Sequence, residues 1–215
     1  MSTSKKFLLT LILLIIIVPL IATNANADVY NNYLQLASKQ KQGTDYTITS
    51  KNVGSDKAVI AIHGGKIEIG TSNIAKSVAN KANTNLYTFE GIKSKNNNIL
   101  HITSTNFNEP TALKIVTNSR QTLSIHGCKG TSLITYIGGL DEKLGAKIRS
   151  ELKKAGFKVA NPPASLAGKN PKNICNQNKI KKGVQLEITY EMRQTLLKDK
   201  NKYNAYINAL SKALK

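Results

Sequence analysis

The run KAVIAIHGG, Lys57 to Gly65, constrains this chain most: an almost wholly apolar stretch, then a histidine and two glycines. A short continuous apolar run closed by glycines predicts a buried strand. The segment beyond it, TSNIAKSVANKAN, repeats its apolar residues with the period of a helix. Ile74, Val78 and Ala82 fall on one face, with Thr71 or Ser72 as the expected N-cap. The same alternation continues along the chain. NLYTFEG and NILHITS predict a second and a third strand, and NEPTALKIVTNS a helix with proline early, where its missing N–H matters least. TLSIHG and SLITYIGG predict the fourth and fifth strands. LDEKLGAKIRSELKKAGF carries the clearest helical pattern, with Asp141 as cap, Leu144, Ile148 and Leu152 as its apolar stripe, and Gly156 as its stop. KVANPP reads as a short strand, residues 161–183 as a long polar loop, GVQLEITY as a last strand and YNAYINALSKALK as a closing helix. Strands alternating with helices indicate an α/β sandwich around a mixed, mostly parallel sheet.

Residues 1–27 stand apart from this pattern. A basic STSKK, an apolar run of about 16 residues from Phe7 to Ala22, and ANA ending at Ala27 have the order of a cleavable export signal. A spanning helix needs roughly 20 apolar residues, which favours a signal over an anchor and leaves an uncleaved anchor as the alternative. The expected mature chain is therefore extracytoplasmic, runs from Asp28 to Lys215, and has no stable membrane insertion. Residues 28–56 are polar and read as an extension leading into the core, and 57–215 as a single domain, expected to be monomeric. The chain carries 31 Lys and Arg against 12 Asp and Glu. Removing Lys5 and Lys6 leaves 29 against 12, or +17. Such an excess suits a polyanionic partner, with a solvated lysine surface as the plain alternative. Cys128 and Cys175 in an exported protein suggest one disulfide; two free thiols are the other reading.

In sheets of this kind ligands bind beyond the carboxyl ends of the strands. Two of the three histidines, His63 and His126, end apolar strands and are followed at once by glycine. Glu68 lies five residues past His63, across the Gly64–Gly65 turn. If they converge, these three side chains make a two-histidine, one-carboxylate set of the type that holds catalytic zinc, although H-x-x-x-x-E is no established spacing by itself. Taken singly, a strand-end histidine is more often a hydrogen-bonded structural residue. His101, in ILHITS, alternates away from Leu100 and Ile102 and reads as a supporting group rather than a ligand. Glu187, in VQLEI, is an acid within an apolar strand, where an unpartnered charge is costly, so it is either paired or facing a cleft.

Six separated segments extend this pattern: HGGKIEIGTS, LHITSTNFNEP, LSIHGCKG, YIGGLDEKLGAKIRSEL, NPKNICNQ and GVQLEITYEMR. In order and spread they resemble the phage-type poly-γ-glutamate hydrolases and their bacterial relatives, a zinc-dependent family related in fold to carboxypeptidase A. The resemblance covers about residues 40–200. It implies a three-layer, zinc carboxypeptidase-like sandwich with one Zn2+ per chain, held by His63, Glu68 and His126. It places the general base on Glu187 and a basic residue for substrate carboxylate on Arg193, whose residue-level alternative is a surface cation. Asn173 and Asn176, in NICNQN, fall on the same rim as candidate amide ligands for substrate or as satisfiers of turn backbone. A Cys128–Cys175 bridge would tie that loop to the metal rim.

The resulting expectation is a secreted zinc amidohydrolase acting on γ-glutamyl bonds of poly-γ-glutamate or a similar polyacidic peptide, with nucleic acid bound only nonspecifically. Two other readings stay open at this point. One is a non-catalytic cationic protein that binds an anionic envelope polymer or nucleic acid. The other is a zinc hydrolase of another cell-wall amide.

Overall fold

The computed structural model describes residues 28–215, so the export signal read at 1–27 lies outside the described residues. Seven strands form one sheet: β1 (Tyr46–Lys51), β2 (Lys57–Gly65), β3 (Asn85–Gly91), β4 (Gln121–Cys128), β5 (Ile134–Gly139), β6 (Lys158–Ala160) and β7 (Val184–Thr189), in the order β1-β3-β2-β4-β7-β5-β6. The central run β3-β2-β4-β7 is parallel, whereas β1 on β3 and β5 on β7 are antiparallel. The helices are α1 (Tyr33–Ala37), α2 (Thr71–Ala82), α3 (Pro110–Thr117), α4 (Glu142–Lys154), α5 (Tyr190–Lys198) and α6 (Lys200–Ala213).

Alternation along the strands divides the core into two layers, giving the mixed α/β sandwich that the sequence pattern predicts, with the three layers that the family resemblance implies. Val59, Ala61, Leu123, Ile125, Leu186 and Ile188 point to one face and pack under Ile74 and Val78 of α2, Leu144 and Ile148 of α4, and Tyr206 and Leu210 of α6. Ala58, Ile60, Ile62, Tyr87 and Phe89 point to the other face, against Leu36, Phe107, Ile115 and Ile174. Asp141 accepts the Leu144 N–H at 2.9 Å and caps α4, as its sequence suggests.

Three local expectations are corrected. The cap of α2 is Gly70, and Thr71 and Ser72 lie inside its first turn. Their hydroxyls are engaged elsewhere: Thr71 Oγ1 donates to the Glu68 and His63 carbonyls, and Ser72 Oγ accepts the Gly65 N–H. NILHITS is not a strand. Asn96 takes a left-handed conformation, Asn97–Leu100 forms a 3-10 turn, and the Thr103 N–H goes to the Asp28 carboxylate rather than to a neighbouring strand. Leu100 and Ile102 are nonetheless fully buried, which is what the apolar spacing reported. Residues 28–56, finally, are more than a lead-in. They supply the edge strand β1, and Leu36 and Tyr46 are buried in the core.

The anticipated disulfide is absent, and Cys128 and Cys175 are both free thiols. Their places in the sheet explain why. Cys128 pairs with Thr189 at the carboxyl end of β7, whereas Cys175 packs on Gly183, just before its amino end. The strand between spans about 20 Å at ~3.3 Å per residue, and a disulfide needs Cα atoms within about 7 Å.

Candidate metal centre

The site forms where β2 and β4 end side by side. Strict alternation from Val59 and Ala61 would turn His63 towards α2, but the register with β3 shifts between Ala61 and Gly64. That bulge re-aims the histidine. His63 now lies on the same side as His126, with its Nε2 donating to the Ile102 carbonyl at 2.9 Å. The chain then reverses at Gly65, where φ is +63° and an added Cβ would stand 2.4 Å from the Gly91 carbonyl oxygen. The Glu68 N–H closes the turn on the His63 carbonyl at 2.9 Å and brings the glutamate back over the histidine.

Three side chains converge there. His63 Nδ1 is 3.1 Å from His126 Nδ1 and 3.1 Å from Glu68 Oε1, and His126 Nδ1 is 3.7 Å from Glu68 Oε2. Two imidazole nitrogens this close need either one shared proton or a shared cation. Donors at about 2.0–2.1 Å from a tetrahedral zinc ion are separated by roughly 3.3 Å, so the observed spacings fit such an ion. The hydrogen bonds behind the donors fit it too. The Ile102 carbonyl can only accept, so it fixes the His63 proton on Nε2 and frees Nδ1, while His126 Nε2 meets Ser124 Oγ at 2.9 Å. The Gly127 N–H donates to Glu68 Oε2 at 2.7 Å.

The electrostatics are those of a site that shares one proton until a cation displaces it. Burial would lower His63, but the Glu68 carboxylate holds its pKa above the usual imidazole value. Burial, helped by the neighbouring His63 and His101, pushes the His126 pKa down to about 3. Burial would raise Glu68, but His63, His126 and the Gly127 N–H hold it down to about 2. A neutral imidazole and an ionised carboxylate are the forms that bind metal.

Glu187 sits beside this set. It is the register partner of His126 across β4 and β7, and it is buried. Burial first, then repulsion from Glu68, pushes its carboxyl well above the usual carboxylate range. Its Oε1 accepts from Gln185 Nε2 at 2.9 Å, and Gln185 Oε1 in turn accepts from Asn173 Nδ2 at 2.7 Å. Asn173 therefore reaches the site only through Gln185. Asn176 is committed to backbone, to the Gly168 and Asn170 carbonyls and the Gly183 N–H. Neither amide is the free substrate ligand that its loop position suggests.

Arg193 also differs from expectation. It is buried on α5 rather than offered as an open fork, with Nε, Nη1 and Nη2 donating to the Ile188, Ile69 and Cys128 carbonyls. Its guanidinium lies on Gly127, where an added Cβ would come within 2.4 Å of Cζ. Arg193 thus braces the rim and brings a positive charge to it. His101 is closer to the centre than its alternation implies: its ring stacks on His63 with centroids 3.9 Å apart, and a ring nitrogen lies within 4.8 Å of the ligand atoms of His63 and Glu68. Sequence reasoning missed Gln185, although its place two residues before Glu187 puts it on the same strand face.

Fold and site together define a class: an open mixed α/β sandwich with two buried histidines and a partly buried glutamate converging at its parallel strand ends. Within that class, the chain belongs to the poly-γ-glutamate hydrolase family, whose profile it matches over residues 30–211. It is 34% identical to the UPF0714 protein YmaC of Bacillus subtilis (strain 168), an alignment covering 98% of this chain and 97% of YmaC. Among solved structures it superposes on a bacteriophage poly-γ-glutamate hydrolase with a TM-score of 0.84 at 29% identity, covering 86% of this chain and 96% of the phage protein. It superposes on a zinc-free YndL with a TM-score of 0.78 at 34% identity, covering 87% and 97%.

Proposed function

We propose that the protein is an exported zinc-dependent hydrolase that cleaves γ-glutamyl amide bonds in poly-γ-glutamate or a similar polyacidic peptide. The observation that carries this reading is the convergence of His63, Glu68 and His126, with Glu187 in register beside them, in a chain of this family. His63 Nδ1, His126 Nδ1 and the Glu68 carboxylate would hold the ion. When bound, zinc lowers the pKa of its water towards ~7 and polarises a carbonyl oxygen.

The chain's own residues supply the rest. Gln185 holds Glu187 by Oε1. Burial and repulsion from Glu68 raise the Glu187 carboxyl; with a cation bound at Glu68 that repulsion is offset and the ionised form favoured. Its Oε2 is then left to take a proton from the attacking water and pass it to the leaving amide nitrogen. Arg193 fixes the ends of β4 and β7 against α5, keeping His126 and Glu187 at constant separation. The +17 charge of the chain from Asp28 onward draws in a polymer with one carboxylate per residue. The export reading rests on the ANA sequence before Asp28.

The test is the size distribution of poly-γ-glutamate after incubation with the purified protein. Shortening that stops with a chelator and returns with added zinc is expected. A zinc-loaded protein that binds the polymer and cleaves no γ-glutamyl amide would establish the non-catalytic binding reading instead.

A further inference from the structure

Asp28 and His101 form a pair at the rim that the proposed mechanism leaves without a role. His101 Nδ1 is 2.8 Å from Asp28 Oδ1, and Asp28 Oδ2 accepts the Thr103 N–H at 2.6 Å. The aspartate side chain is only 9% exposed, whereas that of His101 is 37% exposed. The imidazole lies nearly flat on His63, with 27° between the ring planes. One side of the ring is thus packed on a candidate metal ligand while the residue stays open to solvent.

This geometry dictates the chemistry of the ring. An ionised carboxylate only accepts hydrogen bonds, so Asp28 places the proton on Nδ1 and leaves a lone pair on Nε2. Among the described residues Nε2 has no hydrogen-bond partner. The stack on His63 and the pinned carboxylate together hold the ring in place. His63 and His126 are tethered the other way round, through Nε2, and present Nδ1 to the centre. His101 is therefore tethered through the opposite nitrogen from the candidate ligands beside it. A carboxylate-held Nδ1–H also suits a metal-ligating imidazole, and His101 lies close enough to His63 and Glu68 to share an ion with them, so zinc content is the readout that separates the two roles. A fixed acceptor at the mouth of the centre disfavours a carboxylate and suits an amide N–H, and a γ-linked polyglutamate offers one of each per residue.

We propose that His101 contacts the substrate, its Nε2 accepting the N–H of a substrate amide next to the reacting one, and that Asp28 is the positioning residue that sets its tautomer. This inference rests on the amidohydrolase reading for the identity of the substrate. The contact itself is measurable without turnover.

The experiment compares His101→Ala, His101→Gln, Asp28→Ala and Asp28→Asn with the parent protein. It reads zinc per chain, kcat and KM on poly-γ-glutamate, and the imidazole tautomer by long-range 15N–1H correlation. In a Glu187→Gln background it also reads the affinity for a short γ-glutamyl oligomer. His101→Ala should keep about one zinc per chain and lose on the order of tenfold in both kcat/KM and affinity, as for one unpaired amide donor. His101→Gln, which retains an acceptor at that reach, should recover part of the loss. Asp28→Ala should turn the Nδ1–H tautomer into a mixture, with a smaller loss that Asp28→Asn restores.

Loss of zinc in His101→Ala would make His101 a ligand and overturn the proposal, as would unchanged oligomer affinity. Failure of the parent protein to cleave, with the affinity loss still present, would overturn the amidohydrolase reading and leave the contact standing.

Discussion

His126 and Glu187 stand side by side on the adjacent parallel strands β4 and β7, in register, both turned away from the layer of Leu123, Ile125, Leu186 and Ile188. A donor nitrogen and a carboxylate are thereby fixed at the spacing of neighbouring strands by backbone pairing alone. Glu187→Gln removes the proton acceptor while keeping the shape and a partner for Gln185. That variant should retain zinc and its melting temperature and lose a factor on the order of 100 or more in kcat. Near-normal turnover would take Glu187 out of the mechanism.

Metal binding and folding should be linked. An ion held at the three donors binds the folded chain only, and contributes about 4 kcal/mol when free zinc stands a thousandfold above its Kd. Chelation should lower the thermal midpoint and added zinc should restore it. His63→Ala and His126→Ala should each lose most of the bound zinc, by elemental analysis. Full occupancy in both variants would show that the donors lie elsewhere.

Gly127 offers a sharp contrast with another glycine. A Cβ at Gly127 would meet the Arg193 guanidinium at 2.4 Å, and the Gly127 N–H also anchors Glu68. Gly127→Ala should destabilise the fold by about 1–3 kcal/mol in urea titration, as overpacking does, and lower zinc affinity with it. At Gly145, in α4, the nearest neighbour of an added Cβ is an Ile137 carbon at 3.6 Å. Gly145→Ala should stabilise by roughly 0.5–1 kcal/mol through helix propensity.

The two thiols should behave as unlinked and unreactive. Burial pushes Cys175 up to about 12, and burial, with Glu187 next, pushes Cys128 up to about 11. Thiolate is the reactive form, so alkylation of native protein should be slow at neutral pH and rise only in alkali, at the half-buried Cys128 before Cys175. Both should titrate after denaturation without a reductant. A reductant-dependent melting temperature would contradict the separation seen in the sheet.

Salt should distinguish long-range attraction from chemistry at the centre. Hydrolysis of long poly-γ-glutamate should slow steeply as ionic strength approaches 0.1 M, where the Debye length is about 10 Å. A short neutral γ-glutamyl amide should respond far less. Equal salt dependence for the two substrates would remove the role given to the lysine excess.

Much of the scaffold was legible because its signals are local. The stripe of Leu144, Ile148 and Leu152 and the Asp141 cap need only the helical period, and KAVIAI and VQLEI need only their apolar runs. The three side chains that converge, His63, Glu68 and His126, were legible as strand-end histidines and a glutamate across a glycine turn. What escaped depends on contacts between distant segments. Nothing near Asp28 announces a partner at His101, 73 positions away. Alternation misread NILHITS because Leu100 and Ile102 are buried by a turn and an irregular segment, which produce the same spacing as a strand. Arg193 looked like an open fork because its three carbonyl partners lie in β7, in the turn after Glu68 and at the end of β4. The disulfide failed for a related reason: nearness to the rim in sequence does not say which end of a strand a loop returns to.

The bulge near the end of β2 separates two tasks that a regular strand would couple. Below it, Ala58 to Ile62 obey simple alternation and fill both hydrophobic layers. Above it, the aim of His63 is set by the irregularity and by the Gly65 turn rather than by the packing beneath. Volume-conserving exchanges among the core residues of β2 should therefore leave the spacing of the donor atoms intact. Deleting a single residue within the bulge would rotate His63 out of the centre while leaving the sandwich folded. A lineage carrying this arrangement is free to drift in its interior, and its function can be switched off in one step without losing the fold.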